Sequence, residues 1–252
     1  MPKSSSKASQ FVPHTPEIEG EMLRAMGFTS FDDLLSAIPE ELRLTSDLPL
    51  PTRRSEVDVK RGMEMLARQN STVRETLSFL GGGSYDHYVP DVVPYLASRA
   101  EFATSYTPYQ AEVSQGTLQA IYEYQTMICQ ITGMEVGNAS LYDGASAVAE
   151  ACLLTARVAP GSVVLVSDGL YAHYLRVTET YLQYSTLSLE SIPSRDGLVD
   201  LDRLKTRMAD DVSAVVVQSP NRLGLLESWK KLGQICAGYP ALFVAVGDPL
   251  SF

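Results

Sequence analysis

The sequence predicts an α/β protein with a mostly parallel sheet flanked by helices, preceded by a helical N-terminal extension. Short runs rich in β-branched residues alternate with segments of about 10 to 15 residues that have helical spacing. This alternation is typical of βαβ units, whose strands are buried on both faces. The segments that predict strands are residues 163–166, 186–189, 214–217 and 241–246.

Residues 11–70 form the predicted helical extension, which follows a polar, disordered tail at residues 1–10. Thr15 is suited to cap a first helix, and Ser30 opens a capping-box pattern for a second, short helix. A third helix is predicted over residues 55–69 because its apolar side chains recur on one face.

The second part of the chain, residues 71–252, carries the predicted sheet and the helices that separate its strands. Each helical segment repeats apolar residues three or four positions apart, so that one face can pack against the sheet. The helices are predicted over residues 114–132, 145–157, 172–184, 200–209 and 227–237.

Composition excludes several classes of protein. The 252 residues are 45% hydrophobic and 20% charged, which is ordinary for a globular chain and too apolar for a disordered one. Thirty acidic and twenty basic residues give a net charge of −10, which disfavours nucleic acid as a partner because its phosphates are repelled. No apolar run approaches the roughly 18 residues of a membrane helix, and the polar start is not a signal peptide.

The cysteines and histidines do not show the spacing of a metal site. The cysteines lie far apart among apolar or small residues, which predicts burial, and their odd number favours a reducing, cytoplasmic compartment. No CxxC or HExxH pattern occurs. The residues concerned are Cys129, Cys152 and Cys236, and His14, His87 and His173.

Loops that follow the predicted strands are candidate sites, because open α/β sheets bind ligands beyond the carboxyl ends of their strands. Asp143-Gly144-Ala145-Ser146 opens a helix, where free N–H groups suit a phosphate or carboxylate; the alternative is a plain N-cap. Asn221 follows the strand at 214–217 and belongs either to a site or to a simple turn. Asp248 ends the last strand and either holds a ring nitrogen or cation, or caps the next element. No GxGxxG or P-loop motif occurs.

Two polar-aromatic loops are further candidates. Residues 81–90 begin with three consecutive glycines, which exclude a helix or strand interior. This loop is therefore either a flexible connection or a surface that grips a ligand, and a functional role for His87 is left open. Tyr106-Thr107-Pro108-Tyr109-Gln110 forms the second loop.

Taken together, these segments resemble one known family. Gly81-Gly82-Gly83-Ser84-Tyr85, Tyr106 to Gln110, and Glu112-Val113-Ser114-Gln115-Gly116 occur in order before a helix. The segment from Asn138 to Ser146 and the segment Gln218-Ser219-Pro220-Asn221 follow at the matching spacing. From about residue 11 to its end the chain resembles the P-protein of the glycine cleavage system, and in particular subunit 1, the N-terminal half of a P-protein divided between two chains.

The resemblance implies the architecture of fold-type I pyridoxal-phosphate-dependent transferases, in agreement with the α/β prediction. It also implies that the chain is part of glycine dehydrogenase (decarboxylating), an oxidoreductase of glycine catabolism. The complex would decarboxylate glycine with pyridoxal phosphate as electron sink and pass the aminomethyl group to the lipoyl arm of H-protein. The implied assembly is an αβ or α₂β₂ complex in the cytoplasm.

Pyridoxal phosphate requires a Schiff-base lysine, and none follows a strand near the candidate loops. The resemblance implies that this lysine belongs to subunit 2, so the cofactor is expected on the partner subunit. The lysines of this chain are Lys3, Lys7, Lys60, Lys205, Lys230 and Lys231.

The resemblance also suggests roles for individual residues. The loop residues expected to line the shared active site or the subunit interface are Ser84, Tyr85, His87, Tyr106, Thr107, Tyr109 and Gln110. The positions expected to be vestiges of a cofactor site are Asp143, Gly144, Ala145, Ser146, Tyr171, Asn221 and Asp248. One departure is that Tyr171-Ala172 stands where many members carry His-Pro, with an imidazole only at His173.

Two alternatives remain at this point. One is another fold-type I enzyme such as an aminotransferase, and the other is a structural or regulatory subunit without ligand contacts. Because subunit 1 of this family is expected to be much longer than 252 residues, residues 71–252 are predicted to be an incomplete, C-terminally truncated large domain.

Overall fold

Contacts in the chain divide it between Thr72 and Val73 into two compact units, which are described separately. The predicted tail at residues 1–10, with its two lysines, lies outside the described residues. The assignment of the units as an extension and an incomplete large domain stays a prediction. A computed structural model describes residues 14–44, 46, 48–79, 81–104 and 106–251.

The described residues of the first unit form three α-helices, each capped by the side chain that precedes it. Thr15 Oγ1 accepts the backbone N–H of Ile18, and Ser30 and Asp33 form a reciprocal capping box. Ser55 caps the third helix in the same way. The helices are α1 (Pro16–Ala25), α2 (Phe31–Leu34) and α3 (Glu56–Ala67).

The second unit contains seven helices in its described residues. The five predicted helices are present, each within about two residues of its predicted ends, and two short helices before them were not predicted. The helices are α4 (Val92–Ala97), α5 (Ala100–Ala103), α6 (Gln115–Thr132), α7 (Gly144–Val158), α8 (Ala172–Leu182), α9 (Leu201–Arg207) and α10 (Trp229–Cys236).

Four strands of the second unit form a parallel sheet in the order β2-β1-β5-β6. A separate hairpin, β3-β4, turns at Asp196 and Gly197, which both have positive φ. Because the four strands are parallel, their carboxyl ends meet at one edge of the sheet. The strands are β1 (Val163–Ser167), β2 (Ser188–Ile192), β3 (Ser194–Arg195), β4 (Leu198–Val199), β5 (Val212–Ser219) and β6 (Leu242–Gly247).

The sheet is covered on both faces because alternate residues of its central strands point to opposite sides. Leu165 of β1 packs in one buried cluster with Leu204 of α9 and Leu232 of α10. Val164 and Val166 of β1 pack in a second cluster with Val148 of α7 and Leu182 of α8. Every residue of β1 and β5 is buried, as expected for strands enclosed between helical layers.

Strand β2 lies about two residues later than predicted. The prediction rested on the apolar residues of 186–189, whereas pairing with β1 runs from Ser188 to Ile192. Glu190 interrupts the apolar pattern because its carboxylate points outward to Arg207, whose Nη2 is 2.8 Å from Oε1. Arg207 Nη2 also lies 3.0 Å from Asp211 Oδ2, which completes a surface ion cluster of these three residues.

Strand β6 forms one edge of the sheet, and its residues are only partly buried. The single tryptophan, Trp229, packs edge-to-face against Phe243 of β6, with ring centroids 5.9 Å apart. Its indole N–H donates to the carbonyl of Ser251, 3.3 Å away, in the turn that follows β6. Trp229 of α10 is therefore joined to the start of β6 by a ring contact and to the turn after β6 by a hydrogen bond.

Cys152 and Cys236 are buried and Cys129 is half-buried, and all three are free thiols. Burial raises the pKa of the Cys152 and Cys236 thiols to about 11, so both behave as small apolar side chains. In the described part of the chain, no helix has the length and apolar character to cross a bilayer.

Candidate functional site

A cavity of about 630 Å³ opens at the carboxyl edge of the sheet in the second unit. Four segments meet there, which are the glycine-rich loop, the start of α8, the end of β5 and the turn after β6. We call residues 81–90 the strap, because the loop crosses one side of this cavity. The residues that line it are Gly82, Gly83, Ser84, Tyr85, His87, Tyr171, His173, Tyr174, Gln218, Ser219, Pro220, Val246, Gly247, Asp248 and Pro249.

The strap is joined to the start of α8 by two tyrosines. The hydroxyls of Tyr85 and Tyr171 lie 2.6 Å apart, a short hydrogen bond between residues 86 positions apart in the chain. Gly83 passes so close to the ring that a Cβ there would lie 3.0 Å from Tyr171 Cε2. Its φ of +88° also favours glycine. The glycine is therefore required both by the backbone conformation and by the approach to the tyrosine ring.

A second contact joins the strap to the end of β6. His87 Nε2 lies 3.1 Å from Asp248 Oδ2, and the other carboxylate oxygen accepts the backbone N–H of Leu250 at 2.9 Å. The side chain of Asp248 is 21% exposed and that of His87 is 45% exposed. The imidazole is thus the more exposed partner of the pair.

Gln218 positions Tyr171 from the end of β5. Its buried side-chain oxygen accepts the backbone N–H of Tyr171 at 3.0 Å, and its amide donates to the carbonyl of Pro220 at 3.0 Å. Burial, with a further contribution from the bond to Tyr85, raises the pKa of Tyr171 to about 12. Tyr171 therefore keeps its proton throughout the physiological pH range.

Asn221 is fully engaged with the protein. Its amide donates to the carbonyl of Gly197 at 2.8 Å and to the carboxylate of Glu227 at 3.0 Å. Its side-chain oxygen accepts two backbone N–H groups of the following turn. The buried Glu227 also accepts the N–H of Val199, so this network fixes the loop after β5 to the β3-β4 hairpin.

The segment Asp143-Gly144-Ala145-Ser146 forms the N-terminus of α7. Asp143 Oδ1 accepts the backbone N–H of Ser146 at 2.7 Å, and this hydrogen bond lowers the pKa of the Asp143 carboxyl. Tyr174 covers the first helical residue, because a Cβ at Gly144 would lie only 2.2 Å from the tyrosine hydroxyl. The predicted N-cap is therefore present, with a tyrosine beside it.

The structure brings together only part of the predicted set. Ser84, Tyr85, His87, Tyr171 and Asp248 line the cavity. Asn221 and the N-terminus of α7 lie outside its lining. The second loop does not reach the cavity and is largely exposed; its predicted site residues are Tyr106, Thr107, Tyr109 and Gln110.

The predicted site residues did not include Gln218, His173 and Tyr174, which line the cavity, although Gln218 belongs to one of the segments that carry the family resemblance. Gln218 was visible as the polar end of a Val-rich strand, and that position is where α/β proteins place ligand contacts. His173 stacks on Tyr171, with ring centroids 5.6 Å apart, and Tyr174 packs edge-to-face against it. These contacts depend on the helical turn at the start of α8.

The cavity residues do not fit pyridoxal phosphate as its holding site. Among the residues that the structure describes, no lysine lines the cavity; Lys205 lies on α9, and Lys230 and Lys231 lie on α10. Both oxygens of Asp248, the carboxylate expected to face a ring nitrogen, already have partners in this chain. Among the described residues, no group of three or more potential metal ligands occurs either.

Comparison with known proteins identifies the family. The sequence model of the glycine cleavage system P-protein matches residues 9–252. The chain belongs to the glycine cleavage system P-protein family. The resemblance to this family that the sequence motifs indicate is thereby confirmed.

Relatives of this P-protein family member support the same conclusion. It is 43% identical over 96% of its length to "Probable glycine dehydrogenase (decarboxylating) subunit 1" of Geobacillus kaustophilus. It is 45% identical over 96% of its length to the protein of the same name from Chlorobium phaeobacteroides. The aligned region is 54% of each relative, so the chain spans about half the length of the curated relatives it matches.

Solved structures confirm the fold. The crystal structure of an inhibitor-bound glycine decarboxylase (P-protein) superposes with a TM-score of 0.80 and 45% identity, over 96% of this chain and 54% of that one. A glutamate decarboxylase from Lactobacillus brevis superposes over 84% of this chain and 52% of that one, with a TM-score of 0.52 and 12% identity, and shows the fold alone. The predicted fold-type I architecture, a mostly parallel sheet flanked by helices, is confirmed.

Proposed function

We propose that this chain acts as subunit 1 of glycine decarboxylase, the P-protein of the glycine cleavage system. With a partner subunit 2 it would decarboxylate glycine and transfer the aminomethyl group to the lipoyl arm of H-protein. The observation that carries this proposal is the family match over residues 9–252, together with relatives at 43 to 45% identity that are named subunit 1. In bacteria like those relatives, the enzyme would work in the cytoplasm.

The cofactor of the complex is proposed to be pyridoxal phosphate, held by subunit 2. This assignment is supported by the lining of the cavity in this chain, whose described residues include no amine that could form a Schiff base. When bound, pyridoxal phosphate supplies the electron sink for decarboxylation. The contribution of this chain would then be to shape and enclose the shared site.

The partner subunit is proposed to cover exposed apolar residues of α6. Tyr122 is 69% exposed, Met127 is 51% exposed and Ile131 is 58% exposed. In its 18 residues the helix carries one charged side chain, Glu123. Exposed aromatic and Met side chains with few charges are characteristic of the core of a protein interface.

The second polar-aromatic loop of this chain is proposed to reach the active site that the two subunits share. Tyr106 and Tyr109 are 89% and 85% exposed, and neither hydroxyl has a hydrogen-bond partner among the described residues. Two unpaired phenols on a surface loop can bind a ligand or a partner chain, because each offers an apolar ring and a polar tip.

The proposal is tested by reconstitution with subunit 2 from the same organism and lipoylated H-protein. The expected result is exchange of labelled bicarbonate into the carboxyl group of glycine by the pair, and none by either chain alone. The chain alone is expected to show no aldimine absorbance after incubation with pyridoxal phosphate. A stable internal aldimine on this chain, or no exchange by a properly assembled pair, would overturn the proposal.

The role of the second loop is tested in the same assay with a double variant, Tyr106→Phe and Tyr109→Phe. We expect assembly to persist while exchange activity falls, because the rings are kept and only the hydroxyls are lost. A matched control is Tyr184→Phe, which alters another tyrosine that is 92% exposed and lies in the turn after α8. Unchanged assembly and activity in the double variant would rule out a role for the loop hydroxyls.

A further inference from the structure

A second cavity of the second unit opens between α9 and α10. Its volume is about 420 Å³, and it shares no lining residue with the cavity at the carboxyl edge of the sheet. Both helices pack on the same buried cluster and form the walls of this cavity, which we call the lysine cleft. The residues that line it are Leu201, Lys205, Lys231, Gln234, Ile235 and Tyr239, the last in the turn after α10.

The lysine cleft is positively charged although the chain as a whole carries a net charge of −10. Its described lining contains two lysines, one from each helix, and no carboxylate. Asp202, three residues before Lys205, is paired with an arginine, with 3.3 Å between nitrogen and oxygen. Glu227, four residues before Lys231, is buried and accepts hydrogen bonds elsewhere. The carboxylates at helical spacing from the two lysines therefore have other partners.

The polar side chains of the lysine cleft are available to a ligand. Within the described part of the chain, neither lysine ammonium has a hydrogen-bond or ion-pair partner, and the same holds for the amide of Gln234 and the hydroxyl of Tyr239. Leu201 and Ile235 pack against the buried cluster beneath and add an apolar surface. The cleft thus combines two separate cations with a short apolar wall.

The backbone that carries the two lysines is fixed by the core. Lys205 directly follows Leu204, and Lys231 directly precedes Leu232; both leucines are 0% exposed. Because these positions lie on packed helices, binding has to order only the lysine side chains. The two cations therefore stand on opposite walls of the cleft rather than on a mobile loop.

We propose that the lysine cleft binds a small aliphatic dicarboxylate. Both carboxyl groups of such a molecule are ionised at neutral pH, and each can pair with one ammonium. The methylene chain between them lies on Leu201 and Ile235, and the amide of Gln234 and the hydroxyl of Tyr239 donate to the carboxylate oxygens. Cations on separate helices suit two separated anionic groups better than one compact dianion such as phosphate.

The charge of the whole chain favours a small ligand over a polyanion. The net charge of −10 repels an extended polyanion, such as a nucleic acid, along its whole length. A small dianion inside the cleft feels mainly the two lysines, because charges beyond about 8 Å are screened at physiological ionic strength.

The test is isothermal titration calorimetry of the purified full chain with three probes of increasing length, namely succinate, glutarate and adipate. We expect saturable binding of at least one of them, with one site per chain. Butyrate, which has one carboxylate, and inorganic phosphate, which has no apolar body, should each bind at least tenfold more weakly. Absence of saturable binding by all three dicarboxylates would overturn the proposal. Butyrate binding as tightly would also overturn it, and phosphate binding as tightly would indicate a site for an adventitious ion only.

Variants then locate the site. Lys205→Gln and Lys231→Gln should each weaken dicarboxylate binding at least tenfold. Lys230→Gln is the matched control, because this lysine is exposed on the same helix but does not line the cleft, and it should bind as the unaltered chain does. Equal binding by all three variants, with native circular dichroism, would place the ligand elsewhere and refute the assignment. Neither measurement needs subunit 2 or pyridoxal phosphate, so its outcome is independent of the proposed function.

Discussion

Gly161 offers the sharpest test of how the sheet is assembled. It precedes β1, and a Cβ at this position would lie 2.4 Å from the carbonyl oxygen of Asp211 and 2.6 Å from the backbone N of Ser213. The same Asp211 oxygen accepts the N–H groups of Ser162 and Val163, at 2.8 and 2.9 Å. Gly161→Ala therefore forces apart the segments that start β1 and β5.

The expected loss follows from these contacts. A Cβ within 3 Å of backbone atoms cannot be relieved by turning a side chain, so the backbone must shift. Overpacking of this kind costs about 1–3 kcal/mol, and weakening two hydrogen bonds adds about 0.5–1.5 kcal/mol each, giving roughly 2–6 kcal/mol in the free energy of unfolding. The damage is confined to the amino ends of the strands, whereas the cavity lies at their carboxyl ends.

The assay is urea unfolding followed by circular dichroism. Gly233→Ala is the matched control, because this glycine lies inside α10 with no atom within 4 Å of an added Cβ. There the same substitution should stabilise the chain by about 1 kcal/mol through helix propensity. A loss smaller than about 0.5 kcal/mol for Gly161→Ala would refute the reasoning.

Three further outcomes are expected. Glu227→Ala should lower the free energy of unfolding by about 2–4 kcal/mol, because the N–H of Val199 and the side-chain amide of Asn221 lose the carboxylate that accepts their hydrogen bonds. Glu227→Gln should cost less, and equal losses for the two variants in urea unfolding would contradict this reasoning. Arg207 lowers the pKa of the Glu190 and Asp211 carboxyls in the folded chain. The ion cluster therefore adds to the free energy of unfolding above the pKa that these carboxyls have in the unfolded chain, and this contribution is lost as the pH falls through their pKa in the folded chain. Arg207→Met should accordingly flatten the decline in stability below about pH 4.5, and an unchanged slope would contradict it. Gly83→Ala should lower the free energy of unfolding in urea more than Gly82→Ala does; both have positive φ, but only Gly83 abuts the Tyr171 ring, and equal losses would show that the ring contact is unimportant.

Much of the fold was predictable because the local sequence patterns and the burial of the same residues indicate the same helices and strands. The Val-rich runs at β1 and β5 are buried on both faces, and the caps at Thr15 and Ser30 form as their residue types suggest. The β3-β4 hairpin was missed although Asp196-Gly197 is a turn signal, because its strands are only two residues long.

The candidate site was predictable only in part, since its decisive contacts join distant segments. The order of the strands indicated that Asp248 would lie at the ligand edge of the sheet. Nothing in the local sequence shows that Tyr85 would reach Tyr171, or that His87 would reach Asp248 across 161 positions. Such pairings are set by how the strap crosses the sheet edge, which is a property of the tertiary structure.

The position of Trp229 gives the chain a built-in optical probe. It is the one tryptophan in the sequence, and its indole is bonded to the turn that carries Asp248 into the cavity. A change in that turn would alter the polarity around the indole and hence the wavelength of its fluorescence emission. Movement of that turn can therefore be followed in solution by intrinsic fluorescence, without a label and on the unaltered sequence.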